Sequence, residues 1–112
     1  MINPNTLQIG NLIKLSYGQV AKVVAVHEDF VDVQIEGVKE VRRDFDSLSG
    51  LEITPERLRE AGFVEYPTGR FRLDHFVIDE RDHIYLGSTP LVRKGAWHGL
   101  QNLVRLISGK DI

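Results

Sequence analysis

The side chains best suited to metal binding or proton transfer are concentrated in one short stretch of the second half of the chain. The stretch contains two histidines and four acids, at Asp74, His75, Asp79, Glu80, Asp82 and His83. Two strands joined by a hairpin could bring the two histidines near each other. The spacing, however, matches no calcium loop and no zinc motif, and acids at a hairpin tip also serve solubility. The pattern favours a polar hairpin, so we predict no metal, no cofactor and no catalytic residue.

The remaining sequence offers little to a catalytic mechanism. The triplet His27-Glu28-Asp29 is typical of a turn, and the serines lack the context of a nucleophile elbow. The ten glycines are dispersed along the chain and form no phosphate-binding loop. The absence of cysteine excludes disulfides, thiolate zinc sites and cysteine nucleophiles. We therefore expect a protein that is not an enzyme.

Lys39, Arg42 and Arg43 form the one basic patch of note in the first half of the sequence, with acids at positions 40, 44 and 46 around it. A solvated strand edge explains these charges, because charge on an edge strand opposes aggregation. The alternative is a nucleic-acid-binding face that contacts phosphates. The formal net charge of −2 argues against a duplex binder that works mainly through phosphates.

A C-terminal helix is predicted over Trp97–Ser108, with Gly109 just past its end. Its apolar residues recur at helical spacing and form one stripe, namely Trp97, Leu100, Leu103, Val104 and Ile107. The polar residues His98, Gln101, Asn102 and Arg105 are predicted on the opposite, outward side. Trp97 is expected to anchor the core, with an exposed anchor for a partner as the alternative. Trp97, His98, Gln101, Asn102 and Arg105 are therefore the candidate partner-binding residues.

A short linking helix is predicted over 55–61, between two β-rich halves. Thr54 is placed to cap its first turn and Pro55 to occupy the first helical position. Gly62 follows the last helical residue, where a left-handed conformation is favoured. Leu58 lies at the spacing where apolar residues from both ends of the helix would meet it.

The strand pattern predicts an α+β protein. In the first half, short strands are expected over Leu12–Leu15, Val20–Val26, Phe30–Ile35 and 38–43, with a fifth after a tight turn; this number and spacing favour a small bent β-barrel-like, Src-homology-three-like half. In the second half, an antiparallel β-meander with a long strand over 70–78, bulged near Asp74-His75, precedes the packed C-terminal helix. We expect a single domain, 1–112, with sub-parts 1–53, 54–62 and 63–112.

Composition places this chain among ordinary globular proteins, since 42% of its residues are hydrophobic. The N-terminus has no basic segment followed by an apolar run, so we expect no signal peptide. No apolar stretch approaches the length that spans a bilayer. These features predict a cytoplasmic protein without a membrane partner.

Three blocks of the sequence resemble a family of small uncharacterised proteins of bacteria, phages and other mobile elements. The blocks are IGNL at 9–12 followed by VAKV at 20–23, LEITPERL at 51–58 closing with AGF at 61–63, and WHGLQNL at 97–103 ending with ISGKDI. The chain departs from that family at Pro55, where an acid is usual, and at Gly99, where a longer polar side chain is usual. The resemblance implies an architecture and a mobile-element setting, and it carries no assigned activity.

The function expected from these observations is a non-enzymatic protein-interaction or structural module, since the sequence shows balanced charge and no catalytic constellation. Its partner is an unidentified protein, with the chain's own copy among the candidates. The alternative is a nucleic-acid-binding module that uses the N-terminal barrel face with Lys39, Arg42 and Arg43.

Overall fold

The structure is a computed structural model, and it describes residues 2–36, 40–66 and 68–112. The described chain forms two five-stranded antiparallel sheets and two α-helices, which confirms the α+β class. Contacts divide it into two compact units. The first unit contains residues 1–51 and 97–102, and the second contains residues 52–96 and 103–112.

The sheet of the first unit contains β1 (Leu12–Leu15), β2 (Val20–Val26), β3 (Phe30–Ile35), β4 (Glu40–Asp44) and β5 (Leu48–Gly50), in the order β4-β3-β2-β1-β5. Because side chains alternate along a strand, every second residue enters the core, including Ile13, Val23, Val31 and Val33. The register of β2 on β3 shifts between Val23 and Ala25, which marks a β-bulge or irregularity in this strand pair.

The edges of this sheet are β4 and β5, and no closed barrel is found among the described residues. The two strands are consecutive in the chain and are joined by a 3₁₀ turn, Phe45–Ser47, whose Phe45 is buried. The turn predicted before β4 falls on residues 37–39, outside the described part of the chain.

The sheet of the second unit is a simple meander of β6 (Val64–Glu65), β7 (Phe71–Leu73), β8 (Phe76–Ile78), β9 (Ile84–Leu86) and β10 (Thr89–Val92). The prediction of one long strand over 70–78 is wrong, because the chain reverses at Asp74-His75 and forms the hairpin of β7 and β8. Asp74 has a φ of 52°, a left-handed conformation that aspartate tolerates better than most residues.

The linking helix α1 (Pro55–Glu60) has the predicted caps at both ends. The Thr54 hydroxyl accepts a hydrogen bond of 3.2 Å from the backbone N–H of Arg57. Gly62 has a φ of 97°, and the Phe63 N–H then donates to the Leu58 carbonyl at 2.9 Å. Leu58 is 2% exposed, so this short helix is held by packing, as its length requires.

The C-terminal helix α2 spans Trp97–Ser108, as predicted, and ends at Gly109 with a φ of 71°. Trp97, Leu100 and Val104 are buried, whereas Ile107 is 45% exposed. Within the described residues, neither helix combines the length and the apolar character that crossing a membrane requires.

Candidate functional site

The two described residues of the basic patch predicted in the first half do not share one surface. Lys39 lies outside the described residues. Arg42 and Arg43 are consecutive in β4, so their side chains leave opposite faces of the strand. The Arg42 Nε donates to Asp32 Oδ1 at 3.2 Å, and its guanidinium lies 3.8 Å from the centre of the Phe30 ring. The guanidinium of Arg42 is thus engaged by Asp32 and Phe30 of the neighbouring strand.

A histidine completes that cluster on the outer side of β3. The Nε2 atom of His27 lies 2.9 Å from Asp32 Oδ2, and its ring packs on Phe30 with 4.4 Å between the centres. Hydrogen bonds from His27 and then from Arg42 hold the pKa of Asp32 below its usual value. The cluster joins the β2–β3 turn to the neighbouring strands, and we assign it that structural role.

The polar side of α2 faces protein, so the prediction that it faces outward is wrong. His98 and Gln101 are 9% and 5% exposed, and Trp97 is 3% exposed. Gln101 accepts from the Leu12 N–H at 2.9 Å and donates to the Gly10 carbonyl at 3.3 Å. These two bonds satisfy backbone groups where the chain enters β1.

Asn102 extends this buried network. Its Oδ1 accepts from Asn11 Nδ2 at 2.8 Å, and its Nδ2 donates to the Thr6 carbonyl at 2.7 Å. Asn11 is fully buried and its Oδ1 also accepts from the Gln8 N–H at 2.8 Å. Amide side chains enter a protein interior only when they are hydrogen-bonded, and both of these asparagines are.

His98 and Arg105, the two remaining polar candidates on α2, each have a polar contact with another side chain. His98 Nε2 lies 3.4 Å from the Thr6 hydroxyl, and burial lowers the pKa of His98. Arg105 Nε donates to Asp111 Oδ1 at 2.7 Å. The five candidate partner-binding residues therefore offer no common exposed surface, because four of them are buried or bonded within the first unit.

The acid and histidine cluster of the second unit is divided between the two ends of β8. The Gly87 N–H donates to the His75 carbonyl at 2.7 Å, which places His75 beside the end of β9, whereas His83 precedes its start. The strand register therefore does not bring the two histidines near each other. No group of three His, Asp or Glu side chains in the described chain is arranged to hold a metal ion.

Asp79 organises the β8–β9 turn. Its Oδ1 accepts from the N–H groups of Arg81 and His83 at 2.9 and 3.0 Å, and its Oδ2 accepts from the Tyr85 hydroxyl at 3.2 Å. Burial alone would raise the pKa of Asp79, but these hydrogen bonds, led by the one from His83, bring it below its usual value. Burial does raise the pKa of the neighbouring Asp82.

One face of the second sheet collects two exposed arginines, the exposed Tyr66 and the half-buried Tyr85, a combination that sequence reasoning missed. Arg72 is paired with Val77, and Val77 with Tyr85, across three neighbouring strands. Paired residues share a face of a sheet. The Tyr66 N–H donates to the Arg70 carbonyl at 2.9 Å, which continues the register and brings both residues to the same face. We call the surface formed by Tyr66, Arg70, Arg72, Val77 and Tyr85 the arginine face.

Tyr85 is the centre of the arginine face. Three shallow grooves of 510, 480 and 400 Å³ meet at its ring. Its hydroxyl is fixed by Asp79, so the ring has a defined orientation. The other polar and basic side chains along these grooves include Arg70, Arg72, His75, Arg81, His83, Ser88 and Arg93.

Arg70 and Arg72 differ from the paired arginines of the described chain. Arg59 and Arg105 form ion pairs with Glu65 and Asp111, whereas no hydrogen bond or ion pair engages the exposed guanidinium of Arg70 or Arg72 within the residues described. Asp74, the acid that lines the first groove, is already bound by Lys110 at 2.8 Å, and Asp79 and Glu80 line the second groove with Arg70. Two positive charges are therefore available to a ligand.

The sequence did contain a signal for this face. The letters YPTGRFRL at 66–73 alternate arginine with an apolar residue, which is the pattern of a strand with one exposed side. Comparisons with protein-family models, with curated proteins and with solved structures found no match. The resemblance to a mobile-element family consequently stays a prediction.

Proposed function

We propose that this chain is a non-enzymatic binding module and that the arginine face is the surface it presents to an extended, negatively charged partner. The observation that carries the proposal is the pair of exposed guanidiniums of Arg70 and Arg72, which no acid of the described chain engages. Arginine forms bidentate hydrogen bonds with carboxylates and phosphates. An unpaired couple of arginines beside an ordered tyrosine is the composition typical of binding hot spots.

The position of the two arginines supports an extended partner. Arg72 lies in β7, and Arg70 directly precedes that strand and continues its register. The two residues therefore follow one another at about 7 Å on the same face. A folded partner that needs a deep anchor finds no deep pocket here, because the grooves around Tyr85 are shallow. Both an acidic protein segment, whether from another protein or from a second copy of this chain, and a nucleic acid carry negative charges at such spacing.

The carboxylates near the arginine face support a binding role over catalysis. Asp79 already accepts three hydrogen bonds within its turn, and Asp74 is paired with Lys110. Both carboxylates line a groove, but each is already engaged by other groups of the chain, and Glu80 is the further acid of the second groove. Arg42, engaged by Asp32 and Phe30, makes the N-terminal face with Lys39, Arg42 and Arg43 the weaker candidate for nucleic acid.

A charge-reversal experiment tests the proposal. The double variant R70E/R72E is compared with the control K22E/R43E, which changes the net charge equally at exposed positions of the first sheet. The probes are a fluorescent single-stranded oligouridylate and a fluorescent polyglutamate of equal length, titrated separately. We expect at least one probe to bind the wild type and the control, and to lose at least tenfold in affinity with R70E/R72E. Absence of binding by both probes, or equal losses in the two variants, would contradict it.

The finer architecture belongs to the same proposal. We infer that the first sheet curves as a small barrel-like, Src-homology-three-like half. The return of β5 to pair with β1 after the 3₁₀ turn that follows β4 supports this inference, as does the bulge in β2. A cytoplasmic location and a mobile-element setting remain predictions.

A further inference from the structure

We infer that the partner of the arginine face is a single-stranded nucleic acid, whose bases stack on Tyr66 and Tyr85 and whose phosphates meet Arg70 and Arg72. The inference rests on the proposed function and adds the class of ligand to it. Its basis is the combination of aromatic rings with free guanidiniums on the exposed side of an antiparallel sheet. Single-strand-binding proteins use this combination, because every base has a π-face and every nucleotide a charge.

Tyr66 is the first stacking position. Its side chain is 76% exposed, and its hydroxyl has no hydrogen-bond partner in the part of the chain that is described. A ring as exposed as this one is open to a flat partner, which can cover it by stacking. An acidic peptide would neutralise the arginines but would leave this ring uncovered, so Tyr66 favours a nucleic acid.

Tyr85 is the second stacking position. Its ring lines all three grooves, and the Asp79 carboxylate holds its hydroxyl at 3.2 Å. A ring held in this way loses little conformational freedom when a base covers it. The Asp79 carboxylate accepts hydrogen bonds from the Tyr85 hydroxyl and from two backbone N–H groups of the turn. It therefore repels an approaching phosphate less than a carboxylate without such donors would.

The spacing of the four residues fits one strand of nucleic acid. Tyr66 follows β6 and lies level with Arg70, whereas Tyr85 lies in β9 and level with Arg72. The two tyrosines are therefore three strand spacings apart across the sheet and two residues apart along it, or about 16 Å in all. That distance leaves room for a nucleotide between two stacked bases. Arg72 lies in β7 and Arg70 directly precedes that strand. Both therefore lie between the two tyrosines, where the phosphates of the intervening nucleotide pass. A duplex, whose bases are already stacked, gains nothing from the rings.

The test uses the full-length protein and fluorescence anisotropy. The probes are a 12-nucleotide oligouridylate, the same strand in a duplex, and polyglutamate. We expect the single strand to bind more tightly than the other two. Tyr66→Ala should weaken its binding about 5- to 150-fold, the loss that one stacked base accounts for, and Tyr66→Phe should restore it. The control Tyr17→Ala removes a ring that is 93% exposed on the other unit and should change nothing.

Salt dependence gives a second readout that a folding defect does not imitate. A plot of log affinity against log salt concentration has a negative slope. For a single strand, each lost phosphate contact makes that slope shallower by about 0.7. The slope for the R70E/R72E variant should therefore be shallower than that of the wild type by at least the amount expected for two phosphate contacts. The slope for Tyr66→Ala should equal that of the wild type. Binding of polyglutamate without oligouridylate overturns this inference and leaves the proposed function standing. Binding of neither probe overturns both, and tighter binding of the duplex overturns the stacking role of the tyrosines.

Discussion

The side-chain amides of Asn11 and Asn102 are joined by a hydrogen bond of 2.8 Å across 91 positions of the sequence. Asn11 is fully buried, and its Oδ1 also accepts from the Gln8 N–H. Because the side chain is out of reach of solvent, water cannot replace these hydrogen-bond partners. With the two bonds of Gln101 to the Gly10–Leu12 backbone, this pair fixes the entry of the chain into the first sheet. The polar side of the C-terminal helix is therefore a structural element.

Asn102→Ala tests this role. The substitution leaves the Asn11 amide and the Thr6 carbonyl without their partner, and an unsatisfied buried group costs about 1–3 kcal/mol. We expect a loss of that size in the free energy of unfolding, measured in urea. Leu106→Ala, on the same helix at a residue that is 81% exposed, should change it by less than about 0.5 kcal/mol. Equal effects of the two substitutions would show that the amide network contributes nothing specific.

His98 predicts a pH dependence. Burial lowers the pKa of this histidine below its ordinary value of 6.5, so the unfolded chain binds more protons than the folded chain between the two values. The free energy of unfolding should then fall as the pH drops below about 6.5, and His98→Gln should remove this component. In an NMR titration, the His98 ring should change charge below pH 6.5. A midpoint at or above 6.5 would contradict the burial argument.

Asp79 predicts a second pH dependence of stability, which comes from an acid and not from a base. Its pKa is lowered in the folded protein, so its contribution to stability is complete above the unfolded pKa of about 3.9. That contribution is lost as the pH falls through the folded value. Asp79→Asn should therefore flatten the acid limb of the stability profile and leave the profile near neutral pH unchanged in shape. An unchanged acid limb in the variant would contradict the assigned hydrogen bonds.

Two glycines predict opposite effects of the same substitution. A Cβ added at Gly95 would lie 2.6 Å from Cδ1 of the fully buried Ile84, so Gly95→Ala must displace packed atoms and should destabilise by about 1–3 kcal/mol. A Cβ at Gly99, inside the C-terminal helix, meets nothing within 4 Å. Gly99→Ala should stabilise by about 0.5–1 kcal/mol, because alanine restricts the unfolded chain and favours helix. Thermal and urea unfolding measure the change in the free energy of unfolding for both variants, and a change of the same sign in both would contradict the prediction.

Local chemistry made much of the fold predictable. Thr54, Pro55 and Gly62 determine the linking helix through contacts within a few residues, and strict alternation in Phe30–Ile35 identifies a half-buried strand. Asp74 escaped prediction because its left-handed turn interrupts a run of apolar residues that otherwise looks like one strand. Local pattern is silent on such a turn unless a glycine or proline marks it.

The candidate sites were predicted less well, for a different reason. Periodicity assigns polar residues to solvent, yet Gln101 and Asn102 are amides whose partners lie some ninety positions earlier. Their lack of charge is the only local sign that they can be buried. In the same way, Arg70 and Arg72 become a site only when the register of the second sheet brings Tyr66 and Tyr85 to their face.

The most direct test of the binding face is an NMR titration of ¹⁵N-labelled protein with the 12-nucleotide oligouridylate and, separately, with polyglutamate. The account predicts that the amide signals of Tyr66, Arg70, Arg72, Val77 and Tyr85 shift together, while those of β3 and β4 stay in place. Shifts that are confined to Asp32, Arg42 and Arg43 would move the binding surface to the first sheet and contradict the account. Absence of shifts with both probes would contradict it as well.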